Sequence, residues 1–153
     1  MNTNKFDFNQ IIATVFYLGY TPITPGTAAS LATMLALYFL PPLSIITSFI
    51  ILNILFFVGT VASERSIIQS KDKDPSFVVI DEWFGMWLSL FLLPKSFILF
   101  LVAFVIFRFF DILKPWPISQ VEKQVPGGLG IRLDDATAGF FTFVIMQAIS
   151  MFL

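Results

Sequence analysis

The stretch LSIITSFIILNILFFVGTVA, residues 43–62, decides the fold class, because its 20 residues include no charged side chain. At about 1.5 Å per residue, a helix of this length spans the roughly 30 Å hydrocarbon core of a bilayer. The whole chain has a similar character: 57% of its 153 residues are hydrophobic, 20 are Phe and only 12% are charged. A soluble fold of this size needs more polar side chains to cover its surface. The sequence therefore predicts an integral membrane protein.

Four further apolar segments flank this run. Residues 96–113 and 136–153 are long enough to cross a membrane, whereas residues 27–40 and 78–93 are short and require local thinning of the bilayer. Residues 8–20 are predicted to form an amphipathic or interfacial helix. We expect an all-α fold, a polytopic membrane bundle of four to five short transmembrane helices in a single domain.

Proline-containing turns predict how these helices are arranged. Pro41-Pro42 and Pro94 indicate two helical hairpins whose turns lie on one side of the membrane. With five crossings, the other side holds every Asp and Glu and eight of the nine Lys and Arg residues, and only Lys95 lies with the turns. Since cytoplasmic loops are enriched in Lys and Arg, the polar motifs are expected at the cytoplasmic face.

Two residue types are missing and exclude much chemistry. The chain has no Cys and no His, so disulfides, thiolate nucleophiles, phosphohistidine and His-ligated zinc are excluded. Catalysis would have to use carboxylates, hydroxyls, Lys, Arg, backbone groups or a hard metal ion. A net charge of -1 and the lack of a basic run give no indication of a nucleic-acid partner.

Two adjacent acids, Asp81 and Glu82, begin the apolar segment DEWFGMW. One interpretation is structural, because acids at a helix N-terminus complement the helix dipole and the free N–H groups. However, ionisable groups near the bilayer are costly, and two together favour a functional site. Gly85 in the same segment is predicted to allow close helix packing.

Arg108, Asp111 and Lys114 recur at intervals of three in RFFDILKPWP, so that neighbours share a helix face. A local ion-pair ladder is one interpretation, and Lys114 is favourable at a helix C-terminus. This interpretation explains Arg108 poorly, because Arg108 lies inside an apolar segment. A guanidinium there needs a carboxylate or phosphate partner, and its planar fork suits phosphate.

A glycine-rich stretch, GGLGIRLDD, precedes the last apolar segment. Gly128 and Gly130 are interpreted either as a flexible turn or as a loop whose N–H groups bind an anion. Asp134 and Asp135 either cap the following helix or hold a hard divalent cation, and the second interpretation is slightly favoured.

Hydroxyl residues cluster in TPITPGT, residues 21–27. Pro25-Gly26 predicts a turn, and Thr27 is a candidate N-cap of the next helix. The functional alternative is that Thr24 and Thr27 contact a lipid headgroup.

Taken together, the motifs place acids from two helix starts and an Arg/Lys pair at one membrane face. Carboxylates, Mg²⁺ and cationic clamps suffice for phosphoryl chemistry without His or Cys.

Four stretches, GYTPITPGTAAS, VVIDEWFGMW, FRFFDILKPWPI and GGLGIRLDDATAG, resemble in this order the phosphatidylglycerophosphatase A family of small bacterial membrane phosphatases. The resemblance covers most of the chain except residues 40–73 and the termini, and implies one such membrane-embedded domain over residues 1–153. It implies Mg²⁺-dependent hydrolysis of the terminal phosphomonoester of phosphatidylglycerophosphate to phosphatidylglycerol and inorganic phosphate. The expected location is the bacterial cytoplasmic (inner) membrane. The reaction would belong to the synthesis of phosphatidylglycerol and cardiolipin.

The resemblance also suggests residue roles. The predicted catalytic residues are acidic and comprise Asp81, Glu82, Asp111, Asp134 and Asp135. All of these except Asp111 are expected to hold Mg²⁺, and Asp111 either orients Arg108 or joins the metal ligands. The predicted substrate-binding residues are Arg108, Lys114, Thr24, Thr27, Gly128 and Gly130. The nucleophile is water or a carboxylate, and the absence of the DxDx[TV] signature favours water. Asp134→Asn is expected to lower turnover by at least about two orders of magnitude.

Two other classes of function remain as alternatives. Intramembrane acids also mark ion- or proton-coupled carriers, but here the charges cluster at helix ends and no internal repeat is visible. In a non-catalytic membrane subunit the polar residues would only pair with one another. The lipid phosphotransferase motif DGxxAR is absent.

Overall fold

The computed structural model of the chain describes residues 7–125 and 127–152, which form seven α-helices and one 3₁₀ turn at Leu18–Tyr20. The helices in chain order are α1 (Phe8–Ala13), α2 (Pro25–Phe39), α3 (Ile45–Ser70), α4 (Ile80–Leu90), α5 (Phe97–Leu113), α6 (Ile118–Gln124) and α7 (Gly128–Ser150). This part of the chain contains no strand, which confirms the predicted all-α class.

Helix α3 is the helix that the uncharged run predicted, and it continues to Ser70 for 26 residues. Ser44 begins it after the two prolines, with its hydroxyl accepting the Thr47 amide hydrogen at 3.1 Å. Within residues 7–125 and 127–152, α3 is the one helix both long and apolar enough to cross a membrane. Only 17% of its apolar window is buried, unlike the core helix of a soluble protein.

The predicted bundle of four or five spans is not confirmed. Helices α2, α4 and α5 have 15, 11 and 17 residues. At about 1.5 Å per residue these are about 16 to 26 Å long, less than the roughly 30 Å of a hydrocarbon core. Helix α7 has 23 residues, but its first turns carry charged side chains. The segment at residues 78–93 shortens most, because its helix begins at Ile80 and ends at Leu90.

Helices α4 and α7 form the centre of the fold, and α4 also packs against α2, α3 and α5. Glycines allow the two helices to approach closely. A Cβ on Gly85 would lie 2.7 Å from the Asp135 carbonyl oxygen, and one on Gly139 would lie 3.0 Å from the Gly85 Cα. The close packing predicted for Gly85 is therefore confirmed. Around this contact the core is filled by Met86, Phe107 and other fully buried side chains.

The two proline turns lie at the same end of the molecule, where Pro41 and Leu93 line one pocket and Lys95 Nζ donates to the Leu40 carbonyl. The hairpin predicted for the first pair of helices is wrong, since α2 packs against α4 and α5 rather than α3. The small buried face of α2, which includes Ala29, fits against those helices, while α3 turns its own small face toward α1 and α7.

Three other regions also differ from the expectation. Residues 8–20 do not form one helix, because Val15, Phe16 and Tyr17 have positive φ angles between α1 and the 3₁₀ turn. The glycine-rich stretch is not a loop: α7 begins at Gly128, so the acid pair lies in its second turn. Helix α6 occupies part of the region interpreted as a connection.

Candidate active site

The start of α4, the end of α5 and the first turns of α7 surround a polar cleft of about 540 Å³. It lies at the end of α4 opposite the proline turns, since Asp81 lines this cleft and Leu90 lines the pocket at the turns. The cleft is lined mainly by charged side chains, which are Lys73, Asp74, Asp81, Glu82, Arg108, Asp111, Lys114, Asp134 and Asp135. Most of the acids and cations that the sequence singled out therefore share one cavity.

Three carboxylates converge in this cleft. One oxygen each from Asp81, Glu82 and Asp135 lies within 4.8 Å of the other two. Asp81 and Asp135 are only 5% and 4% exposed. The close approach of α4 and α7 brings them together, because Gly85 lies against the backbone of Asp135. We call Asp81, Glu82 and Asp135 the carboxylate cluster. Buried like charges at this separation repel one another unless a cation or bound protons neutralise them.

The carboxylate cluster fits a hard divalent cation. Carboxylate oxygens are the ligands that Mg²⁺ and Ca²⁺ prefer, and ligands at about 2.0–2.1 Å from Mg²⁺ are at most about 4.2 Å apart. Small side-chain rotations would bring the three oxygens to that spacing. In addition, Glu82 Oε2 is buried without a hydrogen-bond partner among the described residues, as expected of an atom that meets an ion.

Asp134 does not join this cluster in the structure. Its Oδ2 forms an ion pair with Lys114 Nζ at 2.5 Å, and its side chain is 7% exposed. Adjacent residues of an α-helix point about 100° apart, so Asp134 and Asp135 on α7 face different partners. Of the four predicted metal ligands, the structure brings three together and places the fourth beside the cation at the end of α5.

Arg108 projects into the cleft from α5, and its guanidinium forms an ion pair with Asp111 one turn later. Its Nη1 also lies 3.5 Å from Ser30 Oγ on α2. A Cβ on Gly26 would lie 3.3 Å from Arg108 Nη1 and 2.9 Å from Glu82 Cδ. Glycine at position 26 therefore allows the start of α2 to approach both side chains without displacing either of them.

The threonines predicted to contact substrate lie at the start of α2. Thr24, not Thr27, occupies the N-cap position, and its side chain makes no capping hydrogen bond. The N-cap prediction for Thr27 is therefore wrong, because the helix starts at Pro25, whose fixed φ suits the first helical position. Neither threonine is among the residues that line the cleft, and their contact with substrate stays a prediction.

The glycines predicted to bind an anion use their amides within the chain. The Gly128 amide donates to Glu64 Oε2 at 2.6 Å, and the Gly130 amide donates to the Gly127 carbonyl at 3.0 Å. A Cβ on Gly128 would lie 2.6 Å from the Glu64 amide nitrogen. The structure thus gives Gly128 a packing role between α7 and α3, and anion binding by either glycine stays a prediction.

Two cations near the site were not singled out by sequence. Lys73 lines the cleft from the connection between α3 and α4. Arg132 on α7 is fully buried close to the carboxylate cluster. Arg132 precedes Asp135 by three residues, the spacing that drew attention to Arg108 and Asp111, and this repeated signal could have identified it.

A helical chain with a helix fit to cross a membrane, and with a cleft that joins three carboxylates to Arg108 and Lys114, has the features of a membrane enzyme of phosphoryl chemistry. The family model of phosphatidylglycerophosphatase A matches residues 11–150. The chain belongs to this family and is a phosphoric monoester hydrolase.

Three relatives show the extent of the similarity. Phosphatidylglycerophosphatase A of Escherichia coli is 34% identical over 143 residues, which cover 92% of this chain and 82% of that protein. The Haemophilus influenzae protein of the same name is 32% identical over 142 residues, 92% of this chain and 87% of the relative. A Bacteroides thetaiotaomicron protein provisionally named phosphatidylinositol-3-phosphatase is 34% identical over 143 residues, 89% of each chain. No solved structure matches the chain.

Proposed function

We propose that this protein removes the terminal phosphate from phosphatidylglycerophosphate, giving phosphatidylglycerol and inorganic phosphate, in a Mg²⁺-dependent reaction of phospholipid synthesis. The observation that carries the proposal is the carboxylate cluster beside Arg108 in one cleft of a phosphatidylglycerophosphatase A family member. Neither a carboxylate cluster nor an arginine alone indicates a phosphatase, but together they supply a cation site next to a phosphate-binding group.

In this proposal Asp81, Glu82 and Asp135 hold the Mg²⁺. A bound Mg²⁺ supplies Lewis-acid chemistry, which stabilises the charge that develops on the phosphoryl oxygens. Asp134 is assigned to Lys114 instead, because the two form an ion pair at 2.5 Å. The carboxylate keeps the ammonium group at the edge of the cleft, where Lys114 would neutralise part of the substrate's charge.

Arg108 is proposed to bind the phosphomonoester, which carries about 1.5 to 2 negative charges at pH 7. The Asp111 carboxylate and the Ser30 hydroxyl approach the guanidinium, so its direction is set before substrate arrives. Its Nε is buried without a hydrogen-bond partner among the described residues. A phosphoryl oxygen that reaches this side of the guanidinium would supply the missing partner.

The proposed reaction is a hydrolysis. A water oxygen forms a bond to phosphorus while the bond between phosphorus and the glycerol oxygen breaks. The attacking water loses a proton and the departing alkoxide gains one, so phosphatidylglycerol leaves as an alcohol. Water is preferred over a carboxylate nucleophile because the three clustered carboxylates are assigned to the cation.

The surface around the cleft supports a substrate that comes from the bilayer. Ile112 both lines the cleft and is 63% exposed. It continues an outward apolar stripe along one face of α5 that comprises Ile98, Leu101, Val105, Phe109 and Ile112. Such a stripe is unfavourable in water and suits lipid. We propose that α5 crosses a thinned bilayer with α2, α4 and α7, and that the acyl chains of the substrate leave the cleft past Ile112.

The proposed location is the bacterial inner membrane, with the cleft facing the cytoplasm. Its support is the segregation of charge, since the acidic cleft and Lys95 with the proline turns lie at opposite ends of α4. A carrier would place its acids nearer the middle of its helices, whereas Asp81 and Glu82 lie in the first turn of α4.

The deciding test is phosphate release from phosphatidylglycerophosphate in detergent micelles by the purified protein, with Mg²⁺ and with excess EDTA. We expect release only with Mg²⁺, and restoration when Mg²⁺ is added back. Asp135→Asn is the matched inactive control against a contaminating phosphatase. Folded protein that releases no phosphate under either condition would overturn the proposal and favour the non-catalytic alternatives.

A further inference from the structure

Arg132 is fully buried in α7, and its surroundings are unusual for a guanidinium. Its Nη2 donates to the Leu55 carbonyl at 2.9 Å, while its Nε and Nη1 have no hydrogen-bond partner among the described residues. The guanidinium carbon lies 4.9 Å from the ring centre of Phe84 and 5.5 Å from that of Phe56. A buried cation with unbonded N–H groups is costly unless opposite charge compensates it.

The carboxylate cluster supplies the opposite charge. Arg132 is attracted electrostatically by Asp81, Asp135 and Glu82. The placement explains this: Arg132 lies one turn before Asp135 on α7, and the ring it contacts, Phe84, lies one turn after Asp81 on α4.

Arg132 does not line the cleft, so it approaches the cluster from behind, on the side of α3. The small residue Gly59 makes room for it there, since a Cβ at that position would lie 2.6 Å from the guanidinium carbon. Two other cations of the cleft have their own acidic partners: Arg108 pairs with Asp111, and Lys114 with Asp134.

We propose that Arg132 is a positioning residue, an internal counter-ion that keeps Asp81, Glu82 and Asp135 assembled when no divalent cation is bound. This inference rests on the proposed cation site. It has a consequence opposite to that of a ligand: the positive charge behind the cluster stabilises the cation-free protein and weakens cation binding. Removing the charge should destabilise the cation-free protein and strengthen Mg²⁺ binding.

The experiment compares Arg132→Gln with Arg132→Lys, which differ in charge but are similar in size. The apparent unfolding midpoint of the purified protein in detergent is followed as Mg²⁺ is added. Without Mg²⁺, both variants should unfold several degrees below the parent protein, because both lose guanidinium packing. Arg132→Gln should then show a larger Mg²⁺-induced rise, with half-saturation at an about tenfold lower concentration. Arg132→Lys should respond like the parent protein.

The matched control is Arg65→Gln, which removes an exposed arginine of α3 that lies outside the cleft. It should leave both midpoints and the Mg²⁺ response unchanged. If the parent protein shows a Mg²⁺ response and Arg132→Gln shows the same one, Arg132 only fills space and the inference fails while the proposed function stands. If the parent protein shows no response, the cation site and the inference both fail.

A second variant covers the case in which Arg132→Gln does not fold. The double variant Asp81→Asn/Arg132→Gln removes one opposing charge together with the arginine. Because Asp81 lies one turn before Phe84, whose ring the guanidinium contacts, the double variant should recover folded protein. Failure to recover it would show that charge balance is not the role of Arg132.

Discussion

Arg108 and Arg132 occur in the same local pattern, an arginine three residues before an aspartate, yet they lie in different surroundings. Arg108 pairs with its own Asp111 and lines the cleft with 13% of its side chain exposed. Arg132 is fully buried, and the carboxylate of its Asp135 converges with Asp81 and Glu82. The helix spacing is identical, so tertiary packing decides that Arg108 faces the cleft and that Arg132 lies behind the carboxylates.

The largest effect on turnover is expected at the acid pair that follows Arg132 (Asp134 and Asp135). Asp135→Asn should lower turnover by about two to three orders of magnitude, because it removes a member of the carboxylate cluster. Asp134→Asn should lower turnover by only about tenfold, because its carboxylate holds Lys114. Initial rates of phosphate release at saturating Mg²⁺ measure both variants.

Asp81→Asn removes another member of the carboxylate cluster and should lower turnover by about as much as Asp135→Asn. The sequence alone assigns a loss of two orders or more to Asp134, and the structure transfers that expectation to Asp135. Equal losses at positions 134 and 135 would mean that both acids reach the cation in the working enzyme, against the geometry described above.

An intermediate effect is expected when each arginine is replaced by lysine. Arg108→Lys should lower kcat/KM by about 10- to 100-fold, because lysine keeps the charge but loses the planar fork that suits phosphate. Arg132→Lys should have the smaller kinetic effect, about threefold, and the larger loss of thermal stability, because its contacts are with Phe84 and the Leu55 carbonyl. Measurements of kcat/KM and of the unfolding midpoint rank the two variants by kinetic loss and by loss of stability. If Arg132→Lys showed the larger kinetic loss, or Arg108→Lys the larger loss of stability, the roles given to the two arginines would be contradicted.

The two arginines also show how much of the fold and of the site can be predicted from the sequence. The uncharged run predicted α3, and most of the acids and cations that the sequence singled out lie in one cleft. The choice between Asp134 and Asp135 could not be made, because it depends on the rotation of α7. That rotation follows from a helix start at Gly128, and glycines favour turns over helices.

The burial of Arg132 was equally out of reach of the sequence. An arginine between a glycine-rich stretch and an acid pair is typical of a solvated connection. Its burial depends on Gly59 of α3, 73 residues earlier in the chain, which leaves space for the guanidinium. Similarly, the α2–α3 hairpin was expected from the short proline turn alone, whereas the small-residue faces of both helices pack elsewhere.

The smallest effect is expected at Glu64, which fixes the orientation of α7 about its own axis and so keeps Arg132 behind the carboxylate cluster. Glu64 accepts the Gly128 amide hydrogen at 2.6 Å and so fixes the first turn of α7 to α3. Glu64→Ala should cost about 1 kcal/mol, because the bond is charge-assisted but Glu64 is exposed. For a chain of this length that loss lowers the unfolding midpoint by about 2–4 °C. Glu64→Gln keeps an acceptor and should lose about half as much.

Since Glu64 fixes the helix that carries both Arg132 and Asp135, its loss should act on both together. We expect Glu64→Ala to lower turnover by less than about threefold. Arg108→Lys and Arg132→Lys, repeated in the Glu64→Ala background, should each lower activity by the same factor as in the parent protein, so that the ratio between the two effects is unchanged. Additive effects would show that Glu64 steadies the helix as a rigid unit. A kinetic loss that grows only in the Arg132 variant would instead show that the guanidinium itself helps to hold the start of α7 in place.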